Sequence, residues 1–223
     1  MSRLGEARRE RLARARLYLV TDARQEQGDL DAFLDAVLTA GVDIVQLREK
    51  AAEAGDLLRW SSAFRSAADR HDALFILNDR PDVAVAVGAD GVHVGQNDLP
   101  PAMVRRAVGE DLIIGLSTHS GAEYDSSAAE ADYLCVGPVH ATPTKPGRPA
   151  TGITIVEHAA ARERDGAELR PWFAIGGIDA GTLQDVVEAG ASRVAVVRAI
   201  TESPLPAGSV RGLIDALQGR PVS

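Results

Sequence analysis

Five short segments carry polar side chains at spacings that could do chemistry: QLREK (46–50), LND (77–79), GQND (95–98), GLSTHS (115–120) and the sixteen-residue GPVHATPTKPGRPATG (137–152). In an extended chain, alternate residues share a face. Ile44, Gln46, Arg48 and, if the strand continues, Lys50 therefore lie on one side, with Val45, Leu47 and Glu49 on the other. Two cations rising from one strand need anions to meet, either neighbouring carboxylates or a ligand. Asp79 and Asp98 end two other segments, and each stands two residues before a proline. Either could cap the helix that follows. As a pair beside two cations they suit a hard metal instead, since Mg2+ is commonly held by one or two carboxylates plus phosphate oxygens and water. Gly115, Ser117 and His119 share a face by the same alternation, which makes Ser117 a candidate polar contact and leaves His119 structural or catalytic. Gly176 and Gly177, in AIGGI, would let backbone approach a phosphate closely.

The elements that must position these residues are visible as eight short, branched apolar runs. They are LYLV (17–20), DIVQLR (43–48), LFILN (74–78), GVHV (91–94), LIIGLS (112–117), YLCVG (133–137), PWFAIGG (171–177) and RVAVV (193–197). Such runs read as strands. Helix-period segments separate them: DLDAFLDAVLTAG (29–41) stacks Leu30, Phe33, Leu34, Val37 and Leu38 on one face, and DAGTLQDVVEAGA (179–191) repeats the layout. Strands alternating with helices make a parallel sheet, and eight units predict an α/β (β/α)8 TIM barrel. An open doubly wound sheet would carry a Gly-rich fingerprint after its first strand, and LYLVTDARQEQG has none. In a barrel the chemistry sits at the C-terminal strand ends, with a phosphate site after strands 7 and 8. Every segment in the opening set falls at such an end. His93, inside GVHVG, is expected to fill a barrel layer.

Composition bounds the reading. The chain has 223 residues, with no composition break, so a single domain over 1–223 is expected, its first 16 residues forming a solvated helical extension rich in Arg and Glu. Apolar residues make up 45% but aromatics only 4%, the aliphatic balance of strands buried on both faces. A net charge of −8 argues against nucleic acid as the main partner. The single cysteine, Cys135, permits no internal disulfide and suits a reducing, cytoplasmic setting. No run of about 18 apolar residues is present, so no membrane span is expected. Self-association into a homo-oligomer is compatible with the sequence.

Taken together and in order, QLREK, LND, GADGVHVGQND, GLSTH, GPVHATPTK and AIGGI resemble the thiamine-phosphate synthase family, from about Leu17 to Ile200. The resemblance implies coupling of 4-amino-2-methyl-5-(diphosphooxymethyl)pyrimidine with 4-methyl-5-(2-phosphoethyl)thiazole, giving thiamine phosphate and diphosphate. It places Gln46, Arg48, Lys50, Asn78, Ser117 and Lys145 at the pyrimidine diphosphate, with Arg48, Lys145 and Ser117 catalytic. It makes Asp79 and Asp98 the Mg2+ ligands. It sets Thr142, Thr144, Gly177, Val197 and Arg198 around the thiazole phosphate. Many relatives carry Ser in strand 8 where this chain has Arg198. Alternatives of the same shape are a thiazole tautomerase-like paralogue, which would not need the diphosphate machinery, and a non-catalytic sensor of thiamine phosphates, which could shed the metal pair. Sugar-phosphate epimerases on this barrel would want inward metal-binding His residues that the sequence does not offer.

Compact proteins usually join elements with about 4–6 residues. The stretch over 137–152 is longer, and long barrel loops tend to be functional. It therefore reads as a lid that orders on ligand. Added substrates with Mg2+ should protect it from limited proteolysis; equal cleavage with and without them would remove the lid.

Overall fold

All eight apolar runs form strands, and their alternation decides what fills the space they enclose. The structure is a computed structural model that describes residues 1–127, 131–142, 150–166 and 170–219. The strands are β1 (Leu17–Thr21), β2 (Ile44–Leu47), β3 (Leu74–Asn78), β4 (Gly91–Val94), β5 (Ile113–Thr118), β6 (Tyr133–Val136), β7 (Trp172–Ile175) and β8 (Val194–Val196). They pair in parallel in chain order, and β8 returns to β1, closing the barrel. The helices run α1 (Arg3–Arg14), α2 (Leu30–Thr39), α3 (Ala54–His71), α4 (Pro81–Ala86), α5 (Pro101–Val108), α6 (Gly121–Ser127), α7 (Thr154–Arg164), α8 (Leu183–Glu188), α9 (Arg198–Thr201) and α10 (Pro206–Leu217). The four-residue α9 was not expected from the sequence, since it is too short to show a period.

Two apolar layers result. Outward residues such as Val45, Leu47, Phe75, Leu77, Val92 and Leu134 pack against the helices. Inward residues Tyr18, Val20, Ile44, Leu74, Ile76, Ile113, Tyr133, Cys135, Phe173 and Ala195 form a separate inner cluster. Scarce as aromatics are, three of them meet here edge to face, with ring centroids 5.5–5.9 Å apart. Tyr133 fits because Gly115 faces it across the β5–β6 pair, where a Cβ would lie 2.1 Å from the ring.

The N-terminal segment is helical as expected, but it is not a solvated extension. Gly5, Arg8 and Leu12 are buried along one face of α1, and Leu12 and Ala15 join the inner cluster beside the first residues of β2, β3 and β5. The helix therefore plugs the N-terminal end of the barrel. Its face includes Gly and Arg, so hydrophobic periodicity could not reveal it. Arg8 Nε reaches Asp90 Oδ1 at 2.9 Å, and Arg9 Nη2 reaches Asp132 Oδ1 at 2.9 Å.

These aspartates belong to a recurring device. Asp43, Asp90 and Asp132 stand just before β2, β4 and β6. Each accepts a backbone N–H at the start of the preceding strand: Leu17 at 2.9 Å, Phe75 at 2.9 Å and Ile114 at 2.8 Å. Burial pushes the Asp90 carboxyl up, but the Phe75 N–H and the Arg65 and Arg8 guanidiniums outweigh it and hold Asp90 below its ordinary value. Removing one partner from a buried ion pair costs about 3 kcal/mol or more. Asp90→Asn should therefore lower Tm at neutral pH by roughly 6–12 °C for a chain of this size. A depressed folded pKa gives stability above the unfolded value, near 3.9, that is lost as pH falls through the folded value. The gap between wild type and variant should close in that acid range; a gap independent of pH would assign the loss to packing.

Candidate active site at the C-terminal rim

Gln46, Asn78, His93 and Ser117 come from β2, β3, β4 and β5 and share the inner face with the cluster above. Gln46 is 2% exposed and donates from Nε2 to the Tyr18 hydroxyl. Tyr18 Oη lies 2.8 Å from Tyr133 Oη. Tyr133 Oη lies 3.1 Å from His93 Nδ1, and His93 Nε2 lies 2.9 Å from Ser117 Oγ. Thus His93 does occupy a barrel layer, but as part of a polar column that joins Gln46 to Ser117. Tyr18 and Tyr133 were not singled out as site residues from the sequence, because nothing local couples positions 115 residues apart.

The next residues along β2, β3 and β4 reach the rim. Arg48 is half-buried, its N–H donating to Thr21 O at 2.9 Å, and it makes no ion pair among the described residues. Lys50 Nζ lies 3.3 Å from Asp79 Oδ2. Asp79 follows the last residue of β3 in a left-handed conformation (φ 61°), which Asp tolerates better than most side chains. Its N–H donates to His93 O at 2.9 Å, so the β4 backbone fixes where the turn leaves the sheet. Asp98 Oδ2 accepts the Gly95 N–H at 2.7 Å. Neither carboxylate caps a helix: the residues at the N-termini of α4 and α5 are Arg80 and Pro100, with no side-chain cap on either helix. The capping alternative is therefore excluded at both positions.

Burial, then the nearby Asp98 carboxylate, raises the Asp79 pKa, and Lys50 offsets this only in part; the two carboxyl groups are within hydrogen-bonding reach. Two carboxylates held together against their own repulsion suit a divalent cation. No third His, Cys, Asp or Glu completes a metal cluster among the described residues. The donor set thus fits an ion that takes its other oxygens from water and substrate.

Across the rim lies a cavity of about 220 Å3 lined by Ser117, His119, Thr142, Gly177, Val197 and Arg198, among others. Five of the residues expected at the two phosphorylated substrates therefore line one cavity. Gly177 adopts φ 63°, and a Cβ there would lie 2.7 Å from His140 Cβ, so only glycine permits this approach of the β7 and β6 loops. Arg198 opens α9 with its guanidinium 4.0 Å from Glu202. His119 Nδ1 pairs with Gly137 O, tying the β5 end to the β6 end. Thr144 and Lys145, with the 143–149 part of the expected lid, lie outside the described residues.

The family model described as thiamine monophosphate synthase matches residues 17–200. Thiamine-phosphate synthase of Acidothermus cellulolyticus is 55% identical over 198 residues, covering 88% of this chain and 92% of that protein. Its counterpart in Mycobacterium leprae is 50% identical over 221 residues, covering 93% and 92%. Among solved structures, thiamine phosphate pyrophosphorylase from Pyrococcus furiosus superposes with a TM-score of 0.81 at 28% identity, covering 95% of this chain and 98% of that one.

The raised Asp79 pKa has a stability consequence. The folded state favours the protonated carboxyl, so stability present below the ordinary carboxylate range is lost as pH rises through the folded value. With divalent cations chelated, Asp79→Asn should melt a few degrees above wild type at neutral pH, and the gain should vanish in acid. A variant that melts below wild type at neutral pH would show that the Lys50 pair outweighs the repulsion.

Proposed function

We propose a function from one premise: the chain belongs to the thiamine monophosphate synthase family. It is a transferase that joins the pyrimidinylmethyl group of 4-amino-2-methyl-5-(diphosphooxymethyl)pyrimidine to the nitrogen of 4-methyl-5-(2-phosphoethyl)thiazole. The observation that carries this reading is the rim's two-sided layout. One side, from β2 to β4, holds Arg48, Lys50 and the Asp79–Asp98 pair. The other, after β7 and β8, is the cavity edged by Gly177, Val197 and Arg198. A diphosphate with a divalent cation suits the first side, and a monoester phosphate suits the second.

Asp79 and Asp98 would hold Mg2+, which when bound neutralises charge on the diphosphate. Lys50 and Arg48 add fixed positive charge there, and the family resemblance assigns Lys145 to the same group. The C–O bond to diphosphate breaks with its electron pair going to the leaving oxygen. The thiazole nitrogen lone pair then forms the new C–N bond to the pyrimidinylmethyl cation. No proton has to be removed, which agrees with the lack of any assigned general base. Orientation of two substrates in one site supplies much of the remaining acceleration. A thiazole tautomerase-like paralogue would have no use for the half-buried carboxylate pair, and a sensor would not need to keep it under repulsion.

Purified protein with both substrates and Mg2+ should release diphosphate and form thiamine phosphate. Absence of product would sink the enzyme reading. Asp98→Ala should reduce turnover on the order of a hundredfold or more while leaving the melting temperature nearly unchanged; equal activity would leave Asp98 with only its Gly95 contact.

A further inference from the structure

With a neutral imidazole, two proton arrangements satisfy every link of the buried column from Gln46 to Ser117. Each neutral phenol has one proton to give, and burial raises both tyrosines well above their ordinary range, so both stay neutral. Gln46 presents its amide N–H to Tyr18. Tyr18 must then donate to Tyr133, and Tyr133 to His93 Nδ1. With Nδ1 accepting, the neutral imidazole carries its proton on Nε2, which donates to Ser117 Oγ. The Ser117 hydroxyl, accepting from His93, keeps its own proton to donate, and Ser117 lines the cavity. Turning the Gln46 amide over would reverse every link and put the proton on Nδ1, so that Ser117 would spend its proton on His93.

We propose that Tyr18, Tyr133 and His93 are positioning residues that fix His93 as the Nε2–H tautomer and thereby hold the Ser117 hydroxyl as a hydrogen-bond donor into the substrate cavity. The column is rigid enough for this. Gln46, His93 and Ser117 are 2%, 7% and 4% exposed. The Tyr133 ring is held by Gly115 on one side and by Tyr18 and Phe173 on the others. A hydroxyl that rotates freely divides its time between donating and accepting, whereas one that already accepts a bond is prepared to donate to a ligand before it arrives. The proposal deepens the function inferred above and rests on it for its kinetic part, but not for the tautomer.

The test has two arms. Protein labelled with 15N-histidine contains five histidines, and His93→Gln identifies the His93 signals. The Nε2–H tautomer is expected; an Nδ1–H or doubly protonated ring at neutral pH overturns the proposal whether or not the protein turns over. In the kinetic arm, Tyr133→Phe should lower kcat/KM for the pyrimidine diphosphate by ~10-fold, the scale of one lost neutral hydrogen bond. In a Ser117→Ala background the same substitution should cost less than about twofold, because the two act as one unit. Equal losses in both backgrounds would make Tyr133 a packing residue and overturn the proposal. Should Tyr133→Phe melt too low to assay, His93→Gln against His93→Leu replaces it. Gln restores a donor near Nε2 and should recover activity over Leu only when Ser117 is present, and recovery without Ser117 would count against the relay. A wild type without turnover but with the Nε2–H tautomer would sink the function and keep the positioning.

Discussion

Closing eight parallel strands forces every second side chain into one shared interior, and that volume has to be filled. This chain fills it with Tyr18, Tyr133 and Phe173 rather than with aliphatic residues alone. Buried hydroxyls carry a condition that methyl groups do not: each must find a partner or cost free energy. The partners lie on neighbouring strands, so Gln46, Tyr18, Tyr133, His93 and Ser117 become one connected set. The packing solution for the barrel and the orientation of its rim are therefore the same feature. Gly115 shows the dependence plainly, since its missing side chain is what admits the Tyr133 ring.

The two ends of the barrel treat the same residue type in opposite ways. At the N-terminal end Asp90 is buried to 3% exposure, yet two arginines and a backbone N–H hold its carboxyl below the ordinary range. At the C-terminal rim Asp79 has a second carboxylate beside it and, among the described residues, the exposed Lys50 to offset both effects in part, so its carboxyl is raised. Satisfied charge marks the end that provides stability; unsatisfied charge marks the end prepared for a ligand. Stability kept at one end leaves room for repulsion at the other.

What the sequence made legible follows the same division. Short, branched apolar runs located all eight strands, and alternation placed Gln46 inward and Val45 and Leu47 outward, because those signals are local. Asp79 and Asp98 were legible as a pair only once the strands were counted, and what excluded helix capping was the identity of the cap residues, which needs coordinates. The Tyr18–Tyr133 contact spans 115 positions and exists only because the sheet closes, so no window of sequence contains it. The buried face of α1 was misread for a different reason: Gly5 and Arg8 are not apolar, and Arg8 is buried because Asp90 and two backbone carbonyls receive it. By contrast, the N-terminal clamps do carry a sequence signal, the recurrence of GVD, GAD and EAD before alternate strands.

The long connection after β6 now has a defined base even though its centre lies outside the described residues. Val139 N–H donates to Ile175 O and His140 N–H to Gly176 O, so the outgoing arm continues the β6–β7 pairing. On the returning arm, Thr151 and Gly152 N–H groups donate to Pro138 O and Val139 O, closing the base upon itself. Thr142 leaves this base already facing the cavity. The described base of the connection therefore lies beside Gly177 rather than beside Asp79 and Asp98. Ser117 stands on β5, between the two sides. Under the proposed function, a group fixed there could address a pyrimidine with its diphosphate toward β2–β4 and its methylene carbon toward β7 and β8. In the proposed function, a donor held in advance there would help keep the methylene carbon aimed at the thiazole nitrogen.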